Sequence, residues 1–591
     1  MSINFDREGM KIMSKIPDNR IYEVDNFTDI KEMFAASVEK YSQRPLFFEK
    51  CKGDKDFREV KYSEFYDGVM KLGAYFLKNN LHSERIAVMG ENRSDWCLAY
   101  MATLCGGGIT VPIDRDVPAD DAINILNVSL SKVFVFSSRL RKMVLENRPK
   151  LLREDLILID MDAESEEDGI LSLKQCLNED GLDKEAFSAI TPDPEVLSNL
   201  LFTSGTTGMA KGVMLCQRNI CSNIRSILMT VKLTCEDRLL SVLPLHHTYE
   251  CTIGFLCALY SGSSIVFSEG LKYISKNMED MKPTVIVTVP LLLENIHKKV
   301  MKAAKDKRGG MLKLGFGKTL SGTLKALGMD KRKKIFKDIH AKVGGELRMI
   351  ITGAAAIRPE VSKDFRKFGF KVLQGYGLTE CSPLALGNND KAFKDDSVGF
   401  PIPDVEVKIN NPDEKGIGEI IIKGPNVMMG YYEDQDHTDA VLKDGWFYSG
   451  DLGVVDKKGF FKITGRIKNV IVTKNGKNIY PEELEYFLNS SPYIEECLVW
   501  GEDDENETVV KAQIFPNIEA IKNMLHINTK PTQEEIDKVI NDEVKETNAK
   551  LPLYKRIKGF NIRENEFVKT TTKKIKRYLE SDKNKNSEKK D

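Results

Sequence analysis

The sequence predicts an α/β protein: a large N-terminal domain of packed, mostly parallel sheets with helices, followed by a small α+β C-terminal domain. Three observations predict this. Short, nearly all-apolar runs recur at RIAVMG (85–90), KVFVFSS (132–138), LILID (156–160), SSIVFSE (263–269), TVIVTVP (284–290) and LRMIITG (347–353), as strands covered on both faces do. Between them lie segments of helical period such as YSEFYDGVMKLGAYFLKN (62–79), and that alternation is the pattern of parallel sheets. A chain of 591 residues also exceeds what a single hydrophobic core organises, so at least two domains are expected.

Composition narrows the class further. Hydrophobic residues make up 41% and charged residues 30%, which excludes a disordered or fibrous chain. Lys+Arg total 87 against 88 Asp+Glu, so no global field draws nucleic acid, and none is expected as a partner. Eleven cysteines are scattered without a CxxC pair and read as reduced thiols of an intracellular protein. The N-terminus lacks the apolar core of a signal peptide. The run GFLCALYSGSSIVF (254–267) is broken by Gly and Ser and reads as buried core rather than a membrane span. A cytoplasmic location is the expectation.

Two composition shifts mark the organisation. Residues 297–342 are strongly basic and amphipathic, the pattern of a helical insert. From about residue 465 the chain becomes a shorter, charge-rich segment, and its polar end, 581–591, is expected to be disordered.

The sharpest motif is LLFTSGTTGMAKGVML (200–215). Thr203, Ser204, Thr206 and Thr207 set four hydroxyls within five residues, Gly205, Gly208 and Gly212 let the backbone approach a ligand, and Lys211 adds a cation. Such a loop can wrap a polyphosphate. It is not a GxxxxGK[ST] loop, because Ala210 and Gly212 flank Lys211. Gly/Ser/Thr richness alone also suits a plain surface loop, but the apolar runs on both sides argue for a loop held between ordered elements.

This loop resembles the phosphate-binding signature of the adenylate-forming superfamily of acyl-CoA synthetases, peptide-synthetase adenylation domains and luciferases. Further segments resemble the family's other signatures in order: LPLHHTYE (243–250), ITGAAAIRPEV (351–361), QGYGLTE (374–380), GEIIIKGPNVMMGYY (418–432), DGWFYSGDLGVVDKKGFFKITGRIKN (444–469) and VKTTTKKIKR (568–577). The pattern is most similar to bacterial long-chain fatty acid–CoA ligases.

The resemblance implies roles. His247 belongs to the acyl pocket. Ala354 and Ala355 contact adenine, and Tyr376, between Gly375 and Gly377, has room to lie flat and stack on it. Thr379 and Glu380 face the phosphates, with Glu380 holding Mg²⁺. Asp451 accepts from the ribose hydroxyls, and Arg466 contacts the ribose and phosphate region. Lys468 is the hinge about which a mobile C-terminal domain turns, and Gly476 borders the coenzyme A channel. Lys574 is the catalytic cation, placed where attack of a carboxylate on the α-phosphate builds charge between two anions. The implied domains are 1–467, with the insert at 297–342, and 468–580.

Four residues depart from the family pattern. Lys573 stands where Gly is usual, so it shares the candidacy of Lys574; Val568 stands where Pro is usual; and Met209–Ala210 replaces a residue–Pro pair. His246 and His247 are adjacent, with no surrounding His/Cys cluster, which argues against a zinc site. The implied substrates are ATP, a long-chain fatty acid and coenzyme A. Two alternatives stay open: transfer of the acyl group to a carrier protein, and a non-catalytic lipid- or nucleotide-binding scaffold. The basic insert is either a surface for anionic membrane, at the inner membrane face, or a solvated helical hairpin.

Overall fold

The computed structural model describes residues 19–50, 54–204, 210–306, 310–326, 329–473, 477–503, 508–569, 575–577 and 579–580, together with the short strands 4–5 and 11–12. All six apolar runs form strands, at Arg85–Met89, Val133–Phe136, Ile157–Asp160, Ser264–Phe267, Val285–Thr288 and Met349–Thr352. The expected helix spans Tyr62–Lys78, capped where the Glu64 carboxylate accepts from the Lys61 backbone N–H at 3.0 Å.

Two sheets carry most of the strands. In one of eight strands, Arg85–Met89 lies between Ile109–Ile113 and Val133–Phe136, all parallel. In the other, of nine, Lys371–Gly377, Met349–Thr352, Val285–Thr288, Arg238–Ser241, Ser264–Phe267 and Pro45–Glu49 run parallel in that order. Between them sits the main core, where the helix Ser94–Cys105 buries eleven of its residues. A helix that is apolar all round belongs in such a sandwiched layer. The run 254–267 is likewise buried: its first part continues a wide helical turn, Glu250–Leu256, into the helix Cys257–Tyr260, and its end is a strand.

A third sheet, of seven strands, is antiparallel where its pairing is resolved. Its strand Glu406–Asn410 and the second half of Trp446–Val455 alternate buried with less buried positions, as a sheet covered on one face does. Beyond it, Ile494–Asp503, Thr508–Pro516 and Ile557–Ile562 form a small mixed sheet under the helices Pro481–Leu488 and Gln533–Ala549, with its own apolar core. The architecture is α/β with a small α+β C-terminal domain.

The basic insert is helical. Its first helix, Pro290–Asp306, starts upstream of the basic stretch because the apolar period already runs through LLLENI; Gly310–Ala326 follows, then two short helices, Arg332–Ile335 and Lys337–Ala341. The expected tail, 581–591, lies outside the described residues. Among the described residues, no helix is long and apolar enough to cross a membrane.

Candidate active site

The phosphate-loop motif is the tip of a hairpin. Leu197–Ser204 pairs antiparallel with Ala210–Cys216, setting Thr203 opposite Lys211 and closing on the backbone pair Ser204–Ala210. The side chain of Ser204 and all of Gly205, Thr206, Thr207 and Gly208 lie outside the described residues. The flanking apolar runs are the two strands, so the loop is anchored on both sides. The strand Gly430–Tyr431 adds to the hairpin edge, and the Tyr432 N–H donates to the Gly212 carbonyl at 2.7 Å.

This third strand brings in a residue that motif reading did not single out. The Tyr431 hydroxyl donates to Glu380 Oε1 at 3.0 Å, and the Lys211 ammonium lies 5.1 Å from the centre of the Tyr431 ring. One tyrosine thus touches both the loop cation and the candidate metal ligand. Burial pushes the Glu380 carboxyl up from its ordinary range, against the pull of the Tyr431 hydrogen bond. Strand alternation within MMGYY was the available signal, since it sets Tyr431 and Tyr432 on opposite faces.

Asp451 is positioned by a bulge. Glu419 pairs with Leu452 and Ile421 with Tyr448, so Ser449, Gly450 and Asp451 stand against Ile420 alone. Gly450 takes φ +68°, and its N–H donates to Glu419 Oε1 at 3.0 Å. Such a bulge re-aims a side chain. Here it presents a buried Asp451 carboxylate directly across from Arg466. Arg466 Nε donates to Asp451 Oδ1 at 2.7 Å, and the Tyr376 hydroxyl donates to Oδ2, also at 2.7 Å. Each oxygen keeps a lone pair for a further donor.

The glycines beside Tyr376 have another cause than room for its ring. A Cβ on Gly377 would lie 1.8 Å from the Pro383 carbonyl, and one on Gly375 would lie 2.7 Å from Leu384 Cδ1. The returning strand Leu384–Gly387 packs too closely for side chains there. Thr379 and Glu380 open the tight turn that follows, Thr379–Cys381.

The adenine turn is strained. Ala354 takes φ +67°, a left-handed conformation costing an alanine about 1–2 kcal/mol. Ala354 and Ala355 are exposed, and beside them the buried Thr352 hydroxyl has no partner among the described residues. Strained backbone and an unsatisfied polar atom together mark a ligand edge. His247 lies ring to ring with His246 at 4.0 Å. Burial holds His246 well below its ordinary pKa, hence neutral, with Nε2 3.5 Å from Asp114.

One cleft of about 3220 Å³ gathers these groups. Thr203, Lys211, His247, Ala354, Ala355, Gly375, Tyr376, Gly377, Thr379, Glu380, Asp451, Arg466 and Lys468 all line it. It is several times the ~300–1,000 Å³ of a pocket for one small ligand, so it has room for more than one substrate. Lys468 is exposed in the turn Ile467–Asn469, directly after Arg466. Gly476, Lys573 and Lys574 lie outside the described residues, but Lys569, Ile575 and Lys576 on either side of the two lysines line the cleft.

Comparison with known proteins agrees with this geometry. Residues 34–432 match the AMP-binding enzyme family, and residues 468–587 match the AMP-binding enzyme C-terminal domain. The chain is 31% identical over 483 residues to long-chain-fatty-acid–CoA ligase 5 of Rattus norvegicus, spanning 76% of this chain and 70% of the rat protein. It is 25% identical over 543 residues to the peroxisomal long chain acyl-CoA synthetase 6 of Arabidopsis thaliana, spanning 86% and 76%. Among solved structures, an anthranilate CoA ligase in complex with anthranoyl-AMP superposes with a TM-score of 0.74 at 18% identity, covering 95% of this chain and 98% of that one. The o-succinylbenzoate CoA synthetase of Bacillus subtilis with its acyl-adenylate superposes with a TM-score of 0.69 at 20% identity, covering 92% and 96%. Two family models in sequence order, over a hairpin, a bulge and a strained turn that meet in one cleft, place the chain in the AMP-binding enzyme family.

Proposed function

We propose that the protein is an AMP-forming acyl-CoA ligase whose acid is a long-chain fatty acid, with residues 1–467 forming the body and 468–580 a small domain that turns about Lys468. The observation that carries this reading is the convergence of Lys211, Tyr376, Glu380, Asp451, Arg466 and His247 on one cleft. The names of the rat and Arabidopsis relatives support the acid and the thiol.

In this reading the nucleotide lies between the adenine turn at Ala354–Ala355 and the ring of Tyr376. Asp451 accepts from the ribose hydroxyls with the lone pairs that Tyr376 and Arg466 leave it. Those two donors fix the carboxylate before the nucleotide arrives, so its orientation costs little on binding. Thr203, Ser204, Gly205, Thr206, Thr207, Gly208 and Lys211 surround the β- and γ-phosphates. A fatty carboxylate oxygen attacks the α-phosphorus as the bond to pyrophosphate breaks, giving the acyl-adenylate. Lys574 stands between the two anions and lowers their repulsion.

The donors present fit a magnesium ion. Glu380 offers a carboxylate that burial has stripped of hydration, which suits a hard cation shared with phosphate oxygens. Bound there, the ion would neutralise phosphate charge. His247 edges the acyl end of the cleft. In the second half, the coenzyme A thiol loses its proton and attacks the acyl carbon, releasing AMP, with Gly476 beside the pantetheine. A cytoplasmic enzyme is the matching location.

The test separates the halves. Wild type releases pyrophosphate with ATP and a panel of carboxylic acids, most rapidly with long-chain acids, and forms the thioester with coenzyme A rather than with a carrier protein. Lys574→Ala loses at least about a hundredfold in adenylation while keeping thioester formation from supplied acyl-adenylate. Retained adenylation transfers the role to Lys573. No acid-dependent pyrophosphate release at any chain length overturns the reading in favour of a binding scaffold.

A further inference from the structure

The insert carries a surface that the nucleotide site does not use. Residues 297–342 hold 13 lysines and two arginines against three aspartates and no glutamate, a net +12, while the whole chain has net charge −1. The remainder is therefore net −13, so this segment stands as a net-positive stretch on a net-negative molecule. Lys298, Lys299, Lys302, Lys331, Lys334 and Lys337 are exposed there.

The helix Gly310–Ala326 sits within this field with an apolar ridge turned outward. Leu312 is 80% exposed, Phe316 71% and Leu320 39%. Spaced four apart, they form one stripe. The opposite face is the one that packs. Leu314 and Ser321 are buried, a Cβ on Gly317 would lie 3.2 Å from the Phe336 ring, and Lys318 Nζ reaches Asp364 at 2.7 Å. His297, on the preceding helix, pairs with the same Asp364 at 2.9 Å. The helix is therefore seated firmly, and the ridge is presented to the outside. Beside the ridge lie Gly315, Thr319 and Thr323, all exposed and none acidic.

We propose that this helix docks on an anionic lipid bilayer, with Leu312, Phe316 and Leu320 entering the headgroup–acyl boundary and the surrounding lysines facing lipid phosphates. An exposed apolar stripe in a strongly basic setting is the chemistry of a helix lying in the membrane plane. A second copy of the chain is the poorer occupant, since a two-fold contact across this face would bring two +12 clusters together. The docking stands independently of the ligase reading.

The experiment is co-sedimentation of the full chain with vesicles of phosphatidylcholine alone and of phosphatidylcholine with phosphatidylglycerol. Binding to the anionic vesicles only, released by salt at about 0.5 M, is the expected result. The triple variant Leu312→Ser, Phe316→Ser, Leu320→Ser and the charge variant Lys331→Gln, Lys334→Gln, Lys337→Gln each lower the bound fraction about tenfold. Both keep the wild-type near-ultraviolet spectrum and the wild-type rate of pyrophosphate release with acid supplied in detergent. Equal binding of the variants and wild type, or equal binding to neutral vesicles, overturns the proposal. So does a dimer in light scattering that the ridge variant dissolves while wild type ignores anionic vesicles. Failure of pyrophosphate release in every form, with vesicle binding intact, removes the ligase reading and leaves the docking.

Discussion

Tyr431 shows how one side chain couples two parts of a site. Its hydroxyl donates to Glu380 and its ring faces the Lys211 ammonium. A hydrogen bond to a charged group contributes about 1.5–3 kcal/mol, and here it favours the ionised carboxylate that burial disfavours. Tyr431→Phe keeps the ring and removes the hydroxyl. The Glu380 carboxyl then rises further, so the proton competes better with a metal ion. The expected outcome is a roughly tenfold higher magnesium concentration for half-maximal adenylation, with a larger deficit at pH 6 than at pH 8. Manganese binding in the presence of ATP, followed by electron paramagnetic resonance, weakens in parallel. Tyr431→Leu removes the ring as well and raises the KM for ATP, which Tyr431→Phe leaves near wild type. An unchanged metal requirement in Tyr431→Phe would show that the hydroxyl does not orient Glu380. The motifs made Glu380 and Lys211 legible because polar residues in a glycine-rich setting stand out. Tyr431 was silent because a tyrosine in a strand reads equally as core. The unpartnered Thr352 hydroxyl was silent too, since only burial reveals it.

At the scale of elements, the six buried strands were legible because burial on both faces leaves a continuous apolar run. The antiparallel sheet around Asp451 was less so: its strands alternate, its bulge breaks the alternation, and nothing local says which strand lies opposite. The wide helical turn Glu250–Leu256 was also hidden, since its cause is three-dimensional. It begins on the last residue of the histidine motif and buries Glu250 completely, with neither carboxyl oxygen in a well-formed hydrogen bond among the described residues. A Cβ on Gly254 would lie 2.6 Å from Glu250 Oε1, so the glycine makes the space that the carboxyl fills. Burial pushes Glu250 up to about 8, from 4.5 in an unperturbed chain. The folded form therefore keeps a proton that the unfolded chain releases above about pH 4.5. Stability falls as pH rises between these values and levels off above about 8. Glu250→Gln, neutral at every pH, escapes this slope. Its thermal midpoint relative to wild type, at one scan rate, is expected to climb by a few degrees from pH 5 to pH 8. A constant offset across that range would show that Glu250 is not held protonated. Gly254→Ala, pressing on the same carboxyl, is expected to lower the midpoint at both pH values.

Over the whole molecule, the proposed chemistry depends on how the small C-terminal domain meets the body. One contact across the two is polar: the Tyr486 hydroxyl lies 3.5 Å from Glu360, on the helix after the adenine turn. Such an interface releases at little cost. In the sequence the division is expected from a change of composition near residue 465; the arrangement was not legible, because polar contacts leave no hydrophobic pattern. In the arrangement described, Lys569, Ile575 and Lys576 line the cleft, and in the proposed reading such an arrangement suits adenylation. Lys468 sits in the tight turn Ile467–Asn469, a kind of turn whose φ generally lies near −50 to −70°. Proline is locked near −65° and disfavours helical backbone in the residue before it, so Lys468→Pro restricts rotation at this turn. The expected outcome is adenylation within about threefold of wild type and thioester formation from supplied acyl-adenylate reduced at least about a hundredfold. Single-turnover measurement of each half with the purified variant reads both numbers. Equal loss in the two halves would mean that the proline disturbs the fold rather than the rotation. Full retention of both would mean that one fixed arrangement serves both steps, and the assignment of Lys468 as a hinge would fall with it.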